Sequence, residues 1–215
     1  DLVKILKQDN VRRDHLLLWG KQIINPVHEK KWNIFIGETG SGKSFLLTNL
    51  ASYYTQKGYK TSFIFQEPYL YSTTVEKNIM LGNQLRDDQK QELYDWIELF
   101  SLMDLGKTPQ EILALEVGEN GKKISGGQAK RVALIRSLMS DADIYIWDDP
   151  FSSVDPYLEK QIMIKIKNHF QAKGKTFILS AHRLTTVGFC DEVFELKKDI
   201  SEIAQGSYQD LILQP

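Results

Sequence analysis

The stretch Gly37-Glu38-Thr39-Gly40-Ser41-Gly42-Lys43-Ser44 decides the fold class of this chain. It follows the mostly apolar residues 33–36 and precedes the mostly apolar residues 45–50. This order predicts a strand that leads through a glycine-rich turn into a helix. The spacing is that of G-x-x-x-x-G-K-S/T, a loop whose backbone N–H groups surround phosphates. The sequence therefore predicts an α/β fold that contains a phosphate-binding loop.

Each residue type in this loop has a physical role in binding a nucleoside triphosphate. The three glycines let the backbone approach the phosphates, because a Cβ would block the approach. Lys43 is expected to reach the β- and γ-phosphates, and Ser44 to offer its hydroxyl to Mg²⁺. An ordinary glycine-rich turn is the alternative, but a Lys-Ser pair in register with the glycines favours phosphate binding. The candidate nucleotide contacts here are Gly37, Glu38, Thr39, Gly40, Ser41, Gly42, Lys43, Ser44 and Thr48.

Composition excludes several classes of protein. A chain of 215 residues, 42% of them hydrophobic, is expected to form one domain with a sub-lobe. Its 27 Lys and Arg residues nearly balance 28 Asp and Glu residues, so composition predicts no nucleic-acid partner. The single cysteine, Cys190, excludes an internal disulfide and suits a reducing compartment. The sequence shows no signal peptide and no apolar run near eighteen residues, and its start at Asp1 suggests a domain cut from a longer protein or a processed product.

The N-terminal region is predicted to be a linker or helix over residues 1–14, followed by a β flap. Residues 15–20 and 22–24 are typical of two short strands joined by a turn, which predicts an antiparallel flap in front of the phosphate loop. Trp19 ends the first of these strands. Its indole could stack on a purine, since flat aromatic faces favour each other, or it could belong to the core. Both interpretations remain open for this residue.

Between the phosphate loop and residue 138 the sequence predicts one more strand and then a helical lobe. Residues 61–65 are rich in β-formers and lead directly into Gln66. Ligands of parallel sheets bind at the carboxyl ends of core strands, so Gln66 is a candidate Mg²⁺ ligand and γ-phosphate sensor. Helical spacing of apolar residues over 75–80 and 89–100 predicts an inserted lobe over about 67–138. Its aromatic residues Tyr94, Trp96 and Phe100 are expected to serve mainly in packing.

The stretch Ile124-Ser125-Gly126-Gly127-Gln128 brings a family resemblance into view. It matches the signature L-S-G-G-Q with one conservative change and opens a predicted helix, where serine and glycines form an anion site. With the phosphate loop before it, the chain resembles the nucleotide-binding domain of ATP-binding cassette (ABC) transporters. The resemblance implies a P-loop (RecA-like), mostly parallel sheet with an antiparallel β flap and an inserted α-helical lobe, the domain occupying residues 15–215. It also implies that ATP and Mg²⁺ bind, and that Ser125, Gly126, Gly127 and Gln128 contact the γ-phosphate of ATP held by a second domain.

Further landmarks follow the order of this family. Asp148 ends the apolar run 144–147 and resembles the aspartate on the magnesium side of the site, while residues 152–155 resemble the D-loop that crosses the dimer interface. His182 lies where the family has its switch histidine. Residues 116–121 are similar to the T-E-V-G-E-R-G segment of exporters, which touches the membrane domains. The resemblance thus implies transmembrane partner domains and a location on the cytoplasmic face of a membrane.

One departure from the family pattern concerns the mechanism. Efficient ATPases of the family have glutamate after the strand aspartate, and this chain has Asp149. The side chain is shorter by one bond, about 1.5 Å, and misplacing a catalytic group by about 1 Å can cost on the order of a hundredfold in rate. The candidate catalytic residues are Lys43, Gln66, Asp149 and His182. We expect ATP binding with slow turnover and a non-identical partner domain; a weak but adequate base in a homodimer is the alternative.

Three functions compete at the level of sequence. The first is the ATP-driven motor domain of an exporter. A nucleotide-gated regulatory domain with little turnover is the second, and Asp149 permits it. The third is a soluble ABC protein of translation or DNA repair, for which two cassettes, a long coiled-coil insertion or a basic face would be expected; none is visible in the sequence.

Overall fold

The structure of the chain is a computed structural model that describes residues 15–18, 21–196 and 203–206. The predicted N-terminal linker and Trp19 lie outside the described residues. Within these ranges, every helix is too short or too polar to span a lipid bilayer. The described strands are β1 (His15–Leu18), β2 (Lys21–Ile24), β3 (Trp32–Ile36), β4 (Thr61–Ile64), β5 (Ile144–Asp148), β6 (Thr176–Ser180), β7 (Glu192–Leu196) and β8 (Ile203–Gly206).

Six of these strands form one sheet in the order β4-β5-β6-β3-β7-β8. All neighbours pair in parallel except β7 and β8, which are antiparallel. The mostly parallel α/β sheet predicted from the sequence is confirmed. Strands β1 and β2 form a separate antiparallel pair, with His15 opposite Ile24, which confirms the predicted flap.

Helices cover both faces of the sheet and form the lobe inserted between β4 and β5. The loop after β3 leads into α1, as predicted, and Gly58 follows it at a positive φ of 90°. Along the chain, helices α2 to α5 all come between β4 and β5, two strands that are neighbours in the sheet. The helices are α1 (Lys43–Gln56), α2 (Val75–Met80), α3 (Asp87–Leu99), α4 (Pro109–Ala114), α5 (Gly126–Leu138), α6 (Pro156–Phe170) and α7 (Leu184–Val187), with 3₁₀ turns at Met103–Leu105 and Glu119–Gly121.

Alternating side chains of the strands divide the core into two layers. Phe35 of β3 packs in the layer that contains Leu46 and Leu47 of α1, whereas its neighbour Ile34 packs in the layer on the other side of the sheet. This alternation follows from the two-residue repeat of a strand. The second layer includes Trp96 and Phe100, both buried, which confirms that these lobe aromatics serve in packing.

Strand β4 departs from the sequence prediction in its position. We expected Gln66 to follow a core strand, but β4 is the edge strand of the sheet. Three of its four residues are only partly buried. The physical reason is that strand pairing depends on distant residues, which local β-propensity does not specify.

Candidate functional site

The loop between β3 and α1 depends on glycine at three positions. Gly37 has a φ of 146°, and a Cβ added to it would lie 2.4 Å from the carbonyl oxygen of Leu196. Gly40 and Gly42 also have positive φ values, of 81° and 93°, which favour glycine. Each glycine of the motif is therefore required by the shape of the loop.

Lys43 directs its ammonium group into this loop. The residue is 6% exposed, and its Nζ donates to the carbonyl oxygens of Gly37 at 2.8 Å and Glu38 at 2.9 Å. The side-chain oxygen of Ser41 lies 3.4 Å from the same nitrogen. Burial lowers the pKa of Lys43, and the charges of Asp148 and Asp149 oppose that shift. The cation is thus held at the centre of the loop and within the field of two carboxylates.

The first turn of α1 presents an open, positively polarised end. Gly42 precedes the helix and has no side chain to cap it, and the first turn carries no acidic residue. Unpaired backbone N–H groups and the helix dipole favour an anion at such an end. Ser44 at this end is exposed. Thr48 is also exposed, and its hydroxyl donates to the carbonyl oxygen of Ser44 at 2.9 Å.

A pair of carboxylates lies at the end of β5: Asp148 is its last residue, and Asp149 follows it. Ser180 of the neighbouring strand β6 donates from its Oγ to Asp148 Oδ1 at 2.5 Å. The same Oγ accepts from the backbone N–H of Asp149 at 2.9 Å. Strand register places Asp148 directly opposite Ser180. One serine therefore orients the side chain of one aspartate and the backbone of the next, a role that the sequence analysis did not assign to it.

Asp149 is also unusual in its backbone. Its φ of 45° lies in the left-handed region, where non-glycine residues are uncommon and aspartate is among the best tolerated. The residue is half-buried. The turn at the end of β5 is thus one that suits aspartate better than a longer side chain.

The parallel strands bring the remaining predicted residues to the same edge of the sheet. Gln66 follows the carboxyl end of β4, and His182 follows that of β6; both are exposed. The phosphate loop follows the carboxyl end of β3, and the two aspartates lie at that of β5. The segments after β3, β4, β5 and β6 therefore meet where the parallel strands have their carboxyl ends. Trp19 is not among the described residues.

The stretch 124–128 begins α5 in a well-defined capped geometry. Ser125 Oγ accepts from the backbone N–H of Gln128 at 3.1 Å, and Gln128 Oε1 accepts from the backbone N–H of Ser125 at 2.7 Å. This reciprocal pair is a capping box. Gln128 Nε2 also donates to Asp104 at 2.8 Å, which anchors the motif to the lobe. Ser125 and Gly126 are exposed, and Gly127 is partly buried.

The loop of residues 152–154, which we call the connecting loop, is held by two cationic side chains. Lys130 Nζ donates to Ser152 Oγ at 2.6 Å. Arg183 donates from Nη2 to the carbonyl oxygen of Ser152 at 3.2 Å and from Nη1 to that of Val154. Arg183 Nη1 also lies 3.2 Å from Glu159 Oε2, an ion pair with a carboxylate that is fully buried.

Sequence reasoning missed Lys130, and one signal could have revealed it. Lys130, Leu134 and Ser137 are spaced by four and three residues, so they share one face of α5. All three are buried in the structure. A lysine on the apolar face of a helix requires a polar partner, and its spacing could have marked it as a candidate for a specific contact.

The fold and the site first define a class. A parallel sheet whose strand β3 enters an α-helix through a glycine loop with a buried lysine, next to an aspartate at the end of β5, is an α/β protein of the P-loop class. A family model described as "ABC transporter" matches residues 21–152. The chain belongs to the ABC transporter family.

Several relatives define the similarity more closely. The chain is 35% identical over 187 residues to ABC transporter C family member 7 of Dictyostelium discoideum, covering 84% of this chain and 14% of that protein. It is also 35% identical over 185 residues to ATP-binding cassette sub-family C member 2 of Mus musculus, covering 82% of this chain and 12% of that protein. The chain therefore spans only a small part of these relatives.

A solved structure agrees with this assignment. It is described as a bacterial Atm1-family ABC exporter with ATP bound, and it superposes with a TM-score of 0.72 at 26% identity. The alignment covers 92% of this chain and 36% of that one. The inserted lobe and the sheet are thus part of a fold shared with an exporter.

Proposed function

We propose that this chain is the ATP-binding and ATP-hydrolysing domain of an ABC exporter, and that its own site turns over slowly. The observation that carries the proposal is the junction of the loop around Lys43 with Asp148 and Asp149 at one sheet edge. The ammonium lies within the glycine loop, and one serine hydroxyl orients both aspartates. This arrangement is suited to a triphosphate with its metal ion.

The chain's own residues have distinct roles in this proposal. The loop N–H groups and the start of α1 bind the phosphates, and Lys43 exchanges its contacts with loop carbonyls for phosphate oxygens. Ser44, Gln66 and Asp148 supply the oxygen donors that magnesium prefers. Bound magnesium would neutralise charge on the phosphates during transfer.

The remaining groups of the site act on the terminal phosphate. His182 contacts the γ-phosphate from the end of β6. Asp149 polarises the attacking water. Its side chain is one bond shorter than that of glutamate, so its carboxylate extends about 1.5 Å less far. Such a displacement is enough to slow the reaction on the order of a hundredfold. This difference in reach supports a slow site.

A second domain completes each site in the proposal. Ser125, Gly126, Gly127 and Gln128 lie at the start of α5, away from the chain's own phosphate loop in sequence, and the first two are exposed. Two such domains close head to tail, so that each motif contacts ATP held by the other copy. Because this motif is intact while Asp149 departs from the family pattern, the partner domain is non-identical and holds the faster site.

The exporter assignment rests on the relatives and on one surface. Tyr69 and Tyr71 are exposed large side chains at the start of the lobe, and they precede Thr74, which forms a bridge with Glu116. A transmembrane domain docked on this surface would cover them. The chain would then act at the cytoplasmic face of a membrane, with no part in nucleic-acid binding.

A regulatory domain with little turnover is the second candidate, and Asp149 is the observation that favours it. Both functions require ATP binding, and they differ in hydrolysis. ATP hydrolysis by the full-length protein, assembled with its membrane domains and with a partner domain whose own site is inactivated by substitution, separates them. A motor domain still hydrolyses ATP slowly at its own site in that assembly, whereas a purely regulatory domain does not.

Titration with a fluorescent ATP analogue tests the common requirement. Wild-type chain should bind it with magnesium, and Lys43→Ala should weaken binding at least tenfold, because charged hydrogen bonds contribute about 1.5–3 kcal/mol. Lys107→Ala, at an exposed lysine of the lobe, is the matched control and should bind like wild type. Equal binding by all three proteins would refute the proposed site.

A further inference from the structure

Lys130 is a buried cation on α5, five residues after the serine that begins the helix. It is 4% exposed, and its Nζ donates to Ser152 Oγ at 2.6 Å. A buried ammonium group is costly unless it is hydrogen-bonded and compensated by charge. The carboxylates whose charge acts on it are those of Asp149, Asp148 and Glu67. The lysine is therefore hydrogen-bonded to the connecting loop and lies within the field of these carboxylates.

The connecting loop is held between two elements. On the side of α5, a Cβ added to Gly127 would lie 3.7 Å from Ser153 Cβ, so the helix start and the loop are in van der Waals proximity. On the other side Arg183, which follows His182, donates to the carbonyl oxygens of Ser152 and Val154. Lys130 thus joins the loop to the same helix whose first turn carries the serine-glycine motif.

We propose that Lys130 is a positioning residue that ties the connecting loop to α5. The tie gives a fixed geometry between the carboxylates that precede the loop and the helix start that this chain offers to a second domain. Lys130 touches neither nucleotide and acts through Ser152. The inference rests on the proposed function, because its consequence is a link between the two nucleotide sites of a dimer.

The kinetic test uses the full-length protein assembled with its partner domain. Lys130→Met should lower kcat for ATP hydrolysis about tenfold with KM unchanged, since a small displacement of a loop at the site affects rate more than binding. KM is preserved because the capping box of Ser125 and its anchor on Asp104 do not involve Lys130. A merely structural defect would instead change both constants together with the amount of folded protein.

Two variants define the contact that matters. Ser152→Ala removes the acceptor hydroxyl and should lower kcat to the same degree as Lys130→Met. The double variant should be no worse than either single one, because residues that act through one contact are not additive. Lys160→Met, at an exposed lysine of α6, is the matched control and should keep the wild-type kcat.

A spectroscopic measurement needs no turnover. A nitroxide label at Ser153→Cys, in a chain whose Cys190 is replaced by serine, reports the mobility of the connecting loop by electron paramagnetic resonance. Lys130→Met should increase the mobility of this label. A label at Glu98→Cys, on the exposed face of α3, should be unchanged.

Each outcome decides the proposal. Unchanged kcat in Lys130→Met, additive effects in the double variant, or an unchanged label at position 153 would overturn it. If Lys130→Met does not fold, Ser152→Ala and its label mobility decide by the same criteria. A wild-type assembly without ATPase activity would contradict the proposed function, and the label mobility would then decide the role of Lys130 separately.

Discussion

At the scale of single residues, the proposed slow turnover depends on the backbone of Asp149 as well as on its side chain. The left-handed φ of 45° is better tolerated by aspartate than by glutamate. The N–H of Asp149 is fixed by Ser180, so the turn does not relax freely. A longer carboxylate at this position therefore has two opposing effects. It brings the carboxylate nearer to the attacking water, and it makes the left-handed backbone conformation less favourable.

Asp149→Glu should raise ATP hydrolysis at this chain's site severalfold in the assembled protein. The longer side chain recovers about 1.5 Å of reach, and it costs up to about 1 kcal/mol in the free energy of unfolding because of the positive φ. Single-turnover hydrolysis and urea unfolding measure the two effects. Asp149→Asn is the matched control: it keeps the φ preference and the stability but should hydrolyse more slowly than wild type. Unchanged rates in both variants would contradict a catalytic role for Asp149.

The reactivity of Cys190 should depend on folding and on pH. Burial raises the pKa of its thiol, and Sγ donates to the carbonyl oxygen of Thr186 at 3.6 Å. A thiol whose folded pKa is raised favours the folded state below its ordinary pKa of about 8.5, and this contribution declines as pH rises above that value. Alkylation by iodoacetamide at pH 8 should be slow in the folded chain and fast in urea. Equal rates in the two conditions would show that the thiol is accessible.

At the scale of elements, local sequence signals predicted individual segments but failed to predict how strands distant in sequence pair. The glycines, Lys43 and the apolar residues that follow predicted the loop and the helix after it, because each signal lies within the segment itself. The edge position of β4 depends on which distant strands pair with one another, and the contact of Ser180 with Asp148 joins two residues that are far apart in sequence. No local pattern contains that information, so only the folded structure reveals it.

The start of α6 and the segment after β6 are joined through Glu159, and its removal should destabilise the chain. This fully buried carboxylate pairs with Arg183 and accepts from Thr185 and Thr186. Removing one partner of a fully buried pair costs about 3–5 kcal/mol. Because the Arg183 side chain is 38% exposed and can reach water, we expect Glu159→Ala to lower the free energy of unfolding by about 2–3 kcal/mol.

Urea unfolding measures this loss. Glu98→Ala, at an exposed glutamate of α3, is the control and should change stability by no more than about 0.5 kcal/mol. A Glu159→Ala chain as stable as the control would mean that Arg183 and the two threonines find other partners at little cost.

The central strands are joined by an aromatic stack that spans three of them. Phe177 of β6 stacks on Trp32 of β3 at 3.9 Å between ring centroids and on Tyr145 of β5 at 4.6 Å. The register of the sheet aligns these residues side by side. Phe177→Ala should therefore lower the free energy of unfolding by about 3–5 kcal/mol, since it opens a cavity between two rings.

Differential scanning calorimetry or urea unfolding tests this value. Tyr157→Ala, at a tyrosine that is 75% exposed, is the matched aromatic control and should be close to neutral. A loss below about 1 kcal/mol for Phe177→Ala would show that the core collapses around the vacant position.

At the scale of the whole molecule, we propose that the chain has two separate surfaces for nucleotide. One is the sheet edge with Lys43, Asp148 and Asp149, and the other is the helix start with Ser125 in the lobe. In a head-to-tail dimer the first surface serves the chain's own ATP and the second serves the partner's. A crossed pair of substitutions separates these two roles.

Lys43→Ala and Ser125→Ala should have opposite patterns in the assembled protein. Lys43→Ala should abolish photolabelling of this chain by an azido-ATP, because its own phosphate contacts are lost, while the partner domain is still labelled. Ser125→Ala should leave labelling of this chain intact and lower total hydrolysis about ten- to hundredfold, because the partner's faster site loses a hydrogen bond to a charged group. The loss of the helix cap lowers the free energy of unfolding by only about 1 kcal/mol. If Ser125→Ala instead prevented labelling of its own chain and spared the partner, the two surfaces would belong to one site and the head-to-tail arrangement would be wrong.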